Sequence, residues 1–247
     1  MDRFLYVSMT GAKQNMVAQE VHANNLANIS TTGFRKDFVQ ARAMQVYGPG
    51  QATRAYALTE RPATDFQQGT LQQTGRDLDV AIRGEGWITV QAPNGDEALT
   101  RAGDLQIDVN GILRTGVGYP VLGNGGPISI PEAEKIEIGT DGTISIRAKG
   151  QGPDVLTEVN RIKLVNPDPA TLRKGVDGLI RADGEGVVFD PDATIQIHAG
   201  FIEGSNVNAV ESMTEIISLA RQFELQVKMM QEAEQKTESM ARLLRVQ

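Results

Sequence analysis

The longest unbroken pattern of hydrophobic and polar residues lies near the carboxyl end, at residues 205–244. This segment contains no glycine or proline, in a chain with 26 glycines and 10 prolines. Apolar or small residues recur in it at alternating spacings of three and four, which predicts a helix that buries one narrow seam. Glu234 and Thr237 interrupt this seam late. Its members are Met213, Ile216, Ala220, Phe223, Val227, Met230, Ala241 and Leu244.

The start of this segment carries a helix-capping signal. Asn208 followed three residues later by Glu211 resembles a capping box, and Ser205 and Asn206 are alternative N-caps. The sequence therefore predicts a helix start close to Asn208.

A second seam lies near the amino end, at residues 2–28, with Gln19 as its polar interruption. A helix with one apolar face needs a partner that covers it. The two terminal helices could cover each other as an antiparallel hairpin, or pack against helices of other copies, and the pattern leaves both arrangements open. The members of this second seam are Leu5, Met9, Ala12, Met16, Ala23 and Leu26.

Between the helices the pattern changes twice. Residues 34–75 show no lasting apolar period, which predicts an extended connector with a short strand around residues 52–58. Residues 76–204 show alternation with turn dipeptides such as Asn94-Gly95, which predicts short antiparallel strands. The predicted fold is α+β. A helical domain at residues 1–33 and 205–247 is interrupted by the connector and by an all-β domain, a sandwich or open barrel.

Charge and composition narrow the range of partners. The formal net charge of −7 makes a nucleic-acid partner unexpected, and the absence of cysteine excludes disulfides and thiolate chemistry. The first residues lack the continuous apolar core of a secretory signal, and no apolar run is long enough to span a membrane. These signals alone predict a cytoplasmic protein, unless the chain is exported by another route.

The sequence offers little support for catalysis. The two histidines, His22 and His198, have no serine elbow motif to work with, and no glycine-rich loop matches a nucleotide-binding pattern. Carboxylate pairs such as Asp77 with Asp79 and Asp104 with Asp108 are interpreted as solvated edges and turns. The only tryptophan, Trp87, is predicted to be a core or domain-interface residue. We therefore expect no catalytic residue, no cofactor and no metal site.

Three motifs follow one another along the chain, at its two ends and at the start of the predicted β domain. They are ANNLAN at 23–28 with TTGF at 31–34; RDLDVAI at 76–82 with GEGW at 84–87, LTRAG at 99–103 and DVNG at 108–111; and EGSNVN at 203–208 with ESMT at 211–214. In this order the motifs resemble the axial proteins of the bacterial flagellum, which include rod, hook and hook-associated proteins.

This resemblance implies a structural protein of the flagellar basal body. Such proteins assemble into a tube that crosses the periplasm and transmits torque, with the terminal helices as its inner layer and the β domain outside. They are exported through the flagellar type III apparatus without a cleaved signal peptide. The implied partners are other copies of the chain, neighbouring rod proteins and the export apparatus, with no nucleic acid and no membrane insertion.

Within the family the chain resembles most the proximal-rod members, through its opening residues and Trp87. A distal-rod subunit is the alternative in the same family, and a periplasmic cell-wall-binding or cell-wall-hydrolysing protein is the alternative from another class. The residues expected at the assembly interface are Asn24, Asn25, Leu26, Asn28, Phe34, Ser205, Asn206, Val207, Asn208, Met213, Ile216, Phe223, Val227 and Met230.

Overall fold

The computed structural model describes residues 2–45, 55–60, 63–148, 150, 156–182, 184 and 186–245. The chain divides into two compact units. The first contains Met1–Asn28, Asp37–Asp65 and Val207–Gln247, and the second contains Ile29–Lys36 and Phe66–Asn206. Long helices occur only near the two ends of the described chain, and every described strand pairing is antiparallel. The predicted α+β fold with an inserted β region is confirmed.

The first unit consists of two long helices and one hairpin. Helix α1 covers Asp2–Ala27 and helix α2 covers Ala209–Arg245. Strands β1 (Gln40–Gln45) and β2 (Ala55–Glu60) form the hairpin, within the segment that was predicted to be a connector. Part of the predicted strand at 52–58 overlaps β2, and residues 52–54 lie outside the described residues. Neither of the described helices is both long and apolar enough to cross a membrane.

The hairpin is fixed to α1 by polar contacts. The Thr59 backbone N–H donates to Gln14 Oε1 at 2.8 Å, and the Thr59 hydroxyl donates to the Gln14 carbonyl at 3.1 Å. β1 is exposed along its whole length, whereas β2 has half-buried positions. β2 therefore lies between α1 and β1.

The two helices pack on each other in antiparallel orientation. Gly11 of α1 lies against the Gln226 side chain of α2. A parallel arrangement through this contact would cover α2 as far as about Arg242, but every residue from Glu234 to Arg242 is exposed. The half-buried positions of α2 instead end at Ala233. α1 therefore covers the first two thirds of α2, and the last turns extend past it by about 18 Å at 1.5 Å per residue.

The predicted seam of α2 is largely confirmed, but that of α1 is partly wrong. Ile216, Ala220, Phe223, Val227 and Met230 are half-buried, while Met213 and Ala241 are exposed. The side chain of Leu244, the last predicted member, lies outside the described part of the structure. On α1, Met9 and Met16 are exposed, and the buried residues are smaller or polar ones. Gly11 lies beside the buried Ser8 and Ala12 and faces the Gln226 side chain of α2, so α2 packs along this line of small residues and leaves Met9 and Met16 on another face of α1. The buried residues of α1 are Ser8, Ala12, Ala18 and Asn25.

The second unit is built from sixteen described strands in small antiparallel sheets. The largest has the order β14-β5-β6-β16-β15, a three-stranded sheet has the order β11-β12-β13, and the rest are pairs. The strands are β3 (Leu71–Gln73), β4 (Val80–Arg83), β5 (Trp87–Gln91), β6 (Glu97–Thr100), β7 (Leu105–Ile107), β8 (Leu113–Thr115), β9 (Leu122–Gly123), β10 (Gly126–Pro127), β11 (Ala133–Ile138), β12 (Thr143–Ala148), β13 (Thr157–Arg161), β14 (Leu164–Val165), β15 (Leu172–Lys174), β16 (Ile180–Ala182), β17 (Gln196–Ala199) and β18 (Phe201–Glu203).

Two apolar clusters form the core of this unit. The larger contains aliphatic residues such as Val80, Ile88 and Leu113, each at most 1 % exposed. The smaller surrounds Trp87 and includes Leu99 and Phe189. Burial of each such aliphatic or aromatic side chain stabilises the folded state by about 1.5–3 kcal/mol relative to exposure in water. Trp87, which was predicted to be a core or domain-interface residue, is a core residue of this unit.

Candidate functional site

The three sequence motifs meet at one buried cluster of charged residues in the second unit. Arg35 follows the first motif, Trp87 and Arg101 belong to the second, and Glu203 opens the third. Arg35 is 1 % exposed and Glu203 is fully buried. We name these four residues the junction cluster, because Arg35 lies between α1 and the strands in the sequence, and Glu203 lies between the strands and α2.

Glu203 holds the cluster together by accepting hydrogen bonds from both arginines. Its Oε1 accepts from Arg35 Nη2 and from the Gly69 backbone N–H, the latter at 2.9 Å. Its Oε2 accepts from Arg101 Nη1, also at 2.9 Å. Arg101 Nη2 continues the network to the Gly84 carbonyl at 2.7 Å. A buried carboxylate with three donors is well satisfied, so Glu203 binds three chain segments at one point.

The Trp87 ring helps to stabilise the two arginines, which share a single carboxylate. Two arginines face one carboxylate, and the Arg35 Nε, Arg35 Nη1 and Arg101 Nε atoms have no hydrogen-bond partner among the described residues. The guanidinium carbons of Arg101 and Arg35 lie 5.3 and 5.8 Å from the ring centroid of Trp87. The negative face of the indole attracts both cations at this distance. Phe66 packs edge-on against the same ring.

The electrostatics of the cluster are dominated by burial. Loss of water lowers the pKa of the Arg101 guanidinium below its ordinary value, while Glu203 raises it and Arg35 lowers it further. An arginine nevertheless stays protonated at neutral pH. The two guanidinium groups therefore act in this cluster as permanent positive charges.

Two glycines, Gly33 of the first motif and Gly69 opposite the third, allow the backbone to approach this cluster closely. Gly33 has φ of +68°, and its N–H donates to the Glu203 carbonyl at 2.7 Å. A Cβ at Gly33 would lie 2.2 Å from the Arg101 carbonyl carbon, and one at Gly69 would lie 2.1 Å from the Gly204 oxygen. Since neither position has room for a side chain, the TTGF and EGSNVN motifs are explained by contact between their backbones.

Asn206 joins the same segments through its side-chain amide. Its Oδ1 accepts from the Lys36 N–H at 2.8 Å, and its Nδ2 donates to the Gln67 carbonyl at 3.1 Å. Nearby, Lys174 Nζ donates to the Arg35 carbonyl at 2.7 Å and lies 3.8 Å from the ring centroid of the half-buried Phe34. The predicted interface residues Phe34 and Asn206 thus bind within their own chain. Ser205 is half-buried beside Asn206.

Two of the other predicted asparagines, Asn25 and Asn28, donate side-chain hydrogen bonds inside the first unit. Asn25 is 3 % exposed and exchanges two hydrogen bonds with the backbone of Asp37, at 2.9 and 3.0 Å. Asn28 Nδ2 donates to the carbonyl of Asn24, which is itself exposed. Leu26 and Val207 are half-buried. Asn25 and Asn28 thus make hydrogen bonds within the subunit, and the contribution of these asparagines to contacts between subunits stays a prediction.

Asn208 is the N-cap of α2, which confirms the first of the three predicted caps. Its Oδ1 accepts from the N–H groups of Val210 and Glu211 at 3.0 and 3.3 Å. Replacing Asn208 with alanine is expected to lower helix stability by about 1 kcal/mol, because two N–H groups lose their acceptor. Hydrogen exchange of the first turn of α2 would show faster exchange there, and unchanged protection would contradict this role. The exposed Thr214→Ala variant is the control.

Each long helix also presents a second apolar row that its partner does not cover. On α2 the row repeats every four residues and is interrupted by Arg221. A row with this spacing is one of the ridges through which helices pack on each other. On α1 the row contains Lys13 among apolar residues. We call these the outer rows. They consist of Tyr6, Met9, Met16 and Val17 on α1, and of Met213, Ile217, Leu225 and Met229 on α2.

The residues considered for catalysis are scattered. His22 is half-buried in α1, and His198 packs beside Phe201 in the second unit. Among the residues that the structure describes, no three potential metal ligands cluster. The expectation that the carboxylates are solvated is wrong for Asp79, which is 2 % exposed because it faces a neighbouring strand segment. Asp108 does not pair with Asp104, and its Oδ2 accepts from Arg114 Nε at 2.8 Å.

Sequence reasoning missed the charged members of the junction cluster. Arg101 and Glu203 are 102 residues apart, and Arg35 and Glu203 are 168 apart, so no spacing rule links them. The available signal was that each charged residue lies within or directly beside a motif of glycines and apolar residues. A charged residue inside an otherwise apolar, glycine-rich motif is a candidate for burial, and a buried charge needs a partner of opposite charge.

Comparison with known proteins accounts for both ends of the chain and for the β region. A family model described as flagella basal body rod protein matches residues 5–35. The model described as flagellar hook protein FlgE/F/G D1 domain matches residues 81–146. The model described as flagellar basal body rod FlgEFG protein C-terminal matches residues 198–243. The junction cluster takes residues from all three matched regions.

Curated relatives cover nearly the whole chain. The flagellar basal-body rod protein FlgF of Salmonella typhimurium is 43 % identical over 92 % of each chain, and that of Escherichia coli is 41 % identical over the same share. The rod protein FlgG of Bacillus subtilis is 32 % identical over 90 % of this chain and 91 % of its own. The chain therefore belongs to the flagellar basal-body rod protein family, in which it is more similar to these FlgF members than to this FlgG member.

Proposed function

We propose that the chain builds the proximal rod of the flagellum by packing the outer rows of its terminal helices against other copies of itself. As a family member, the chain is a structural subunit of the flagellar basal-body rod. The proximal position, rather than the distal one, is supported by the higher identity to FlgF relatives than to FlgG relatives. The observation that carries the assembly mechanism is the pair of outer rows.

The outer rows are unusual for surface residues because they are large, apolar and aligned. Ile217 and Leu225 on α2 are 53 % and 58 % exposed, and Met9 and Met16 on α1 are 49 % and 57 % exposed. Single exposed apolar residues are common, but rows of them mark contact surfaces. Since α1 and α2 already bury their other faces against each other, a further helix is the partner that fits.

The two rows differ in sequence, which suggests how copies join. If the α2 row of one copy met the α2 row of another, the contact would be self-complementary and would close a dimer. If the α1 row of one copy meets the α2 row of the next, the contact is heterologous and continues as an open helical array. A rod requires the second arrangement, so we propose that the α1 row binds the α2 row of a neighbour.

The uncovered end of α2 extends this contact. From Glu234 to Arg242 all positions are exposed, including Met240 at 51 %. The polar interruption at Glu234 and Thr237 coincides with the point where α1 ceases to cover α2. We propose that a neighbouring copy, or a neighbouring rod protein, covers this end.

Other parts of the proposal rest on family membership. The chain crosses the periplasm as part of the rod, transmits torque, and leaves the cell through the flagellar type III apparatus. It has no catalytic activity of its own. The junction cluster supports the mechanical role, because it fixes both segments that continue into the helices to one buried carboxylate.

Cysteine cross-linking in basal bodies tests the heterologous contact, because the chain has no native cysteine. Met16→Cys and Ile217→Cys are produced separately and together in cells, and isolated basal bodies are oxidised. Cross-linked dimers are expected only when both variants are present, and an Ile217→Cys dimer formed alone would overturn the arrangement. Glu158→Cys, at an exposed strand position, is the control for random collisions.

A further inference from the structure

Two aspartates of the second unit face each other across an antiparallel bridge. Asp79 directly precedes β4 and Asp104 directly precedes β7, and the two residues are bridge partners. Directly opposed residues in such a pair have Cβ atoms about 4.5–5.5 Å apart, with side chains on the same face. The structure thus brings together one carboxylate from each of two pairs that the sequence had suggested.

Neither carboxylate has enough donors. Asp79 is 2 % exposed, and its Oδ1 has no hydrogen-bond partner among the described residues; the same is true of the buried Oδ1 of Asp104. Arg76 Nε lies 3.5 Å from Asp79 Oδ1, but Arg76 is half exposed and its Nη2 donates to the Leu105 carbonyl. If both carboxyl groups were ionised, the two negative charges would repel each other, and burial would deprive them of water. One partly solvated arginine does not compensate for both effects.

The other oxygen of Asp104 is held in a tight place. Asp104 Oδ2 lies against Gly116, where a Cβ would approach it to 1.9 Å. The carboxyl group of Asp104 also accepts hydrogen bonds from its own backbone N–H and from that of Gly116, which fix its orientation beside Asp79. If one of the two carboxyl groups is protonated, its O–H can donate to the other, so a single added proton gives both unpartnered oxygens a partner.

We propose that Asp79 and Asp104 share one proton, which Asp104 donates to Asp79 Oδ1. The pair then carries a single negative charge, next to Arg76. Burial raises the pKa of the Asp104 carboxyl above its ordinary value, and the charge of Asp79 raises it further. The hydrogen bonds from the backbone N–H groups of Asp104 itself and of Gly116, and the charge of Arg76, lower this pKa but do not cancel the increase. The balance favours the protonated form over a wider pH range than for a solvated aspartate.

The consequence is a β domain that loses stability as pH rises. In the unfolded chain Asp104 releases its proton near the ordinary aspartate value of about 3.9. In the folded chain it keeps the proton to higher pH, so folding takes up a proton in the interval between the two pKa values. Across that interval the unfolding equilibrium constant increases by up to about tenfold per pH unit from this pair, and above the folded pKa it levels off.

The test compares pH profiles of denaturant unfolding for the full chain and for Asp104→Asn. The variant cannot bind the proton, so the ratio of its unfolding constant to that of wild type is expected to change steadily with pH between the unfolded and folded pKa values. Asp77→Asn removes an equal charge from the same motif at an exposed position, and its profile should run parallel to wild type. A parallel profile for Asp104→Asn would overturn the proposal.

Carboxyl carbon NMR of the wild-type chain tests the shared proton directly, and it remains possible if the Asp104→Asn variant fails to fold. Asp104 is expected to titrate above the ordinary aspartate range, and the Asp79 resonance should shift at the same pH because the two groups share the proton. Independent titrations, each at or below the ordinary range, would show that both groups are simple anions.

Discussion

Replacing Glu203 with alanine is expected to lower the free energy of unfolding of the second unit by about 3–5 kcal/mol. The reason is that two guanidinium groups, Arg35 and Arg101, would remain in a region where Arg35 is 1 % and Arg101 5 % exposed, with no carboxylate to balance them. The Gly69 N–H would also lose its acceptor. For a domain of ordinary stability a loss of this size removes a large part of the total.

Denaturant unfolding, followed by the fluorescence of the single Trp87, measures this effect directly because the ring lies beside both arginines. Glu158→Ala, an exposed glutamate on β13, is the matched control and should change stability by less than about 0.5 kcal/mol. A small effect of Glu203→Ala would mean that water reaches the arginines freely.

A second variant separates unpaired charge from lost packing. If Arg35 and Arg101 become methionine and Glu203 becomes leucine together, no buried charge remains and most of the lost stability should return. Failure of the triple variant to recover would show that the hydrogen bonds to Gly69 and Gly84, rather than charge balance, provide the stability.

The terminal helices show what sequence periodicity can and cannot predict. The seam of α2 follows from its spacing, since Ile216, Phe223 and Val227 are half-buried as expected. The seam of α1 is shifted, because hydrophobicity alone selects Met9 and Met16, whereas α2 packs on the side of α1 that carries Ser8, Gly11 and Ala12. A pattern identifies apolar positions, but backbone distance decides which of them are covered.

The junction cluster was beyond sequence reasoning for a different reason. Periodicity and turn signals are local, whereas Arg35, Arg101 and Glu203 meet only after the strands have paired. The motif glycines Gly33 and Gly204 indicate this contact indirectly, because Gly33 packs against the Arg101 backbone and Gly204 against Gly69. The family resemblance identified the right motifs, and the structure explains why their residues occur together.

Introducing two charges into the outer row of α2 is expected to abolish incorporation into the rod. Ile217→Asp with Leu225→Asp places unpaired carboxylates where a neighbouring helix would exclude water. A buried charge that is not paired costs several kcal/mol, and each 1.4 kcal/mol weakens binding about tenfold. Both residues are more than half exposed in the subunit, so its own fold should persist. The rows are thus expected to matter for assembly and not for folding.

Motility and basal-body preparations measure incorporation, and circular dichroism of the purified chain checks that the helices form to the wild-type extent. Ile217→Met with Leu225→Met keeps the row apolar and is expected to assemble and swim normally. If the aspartate variant also enters basal bodies, the outer row of α2 faces solvent in the rod, and the covered surface must lie elsewhere on the helices. If instead only its helix content falls, the row stabilises the subunit itself, and the separation between a folding seam and an assembly row is wrong.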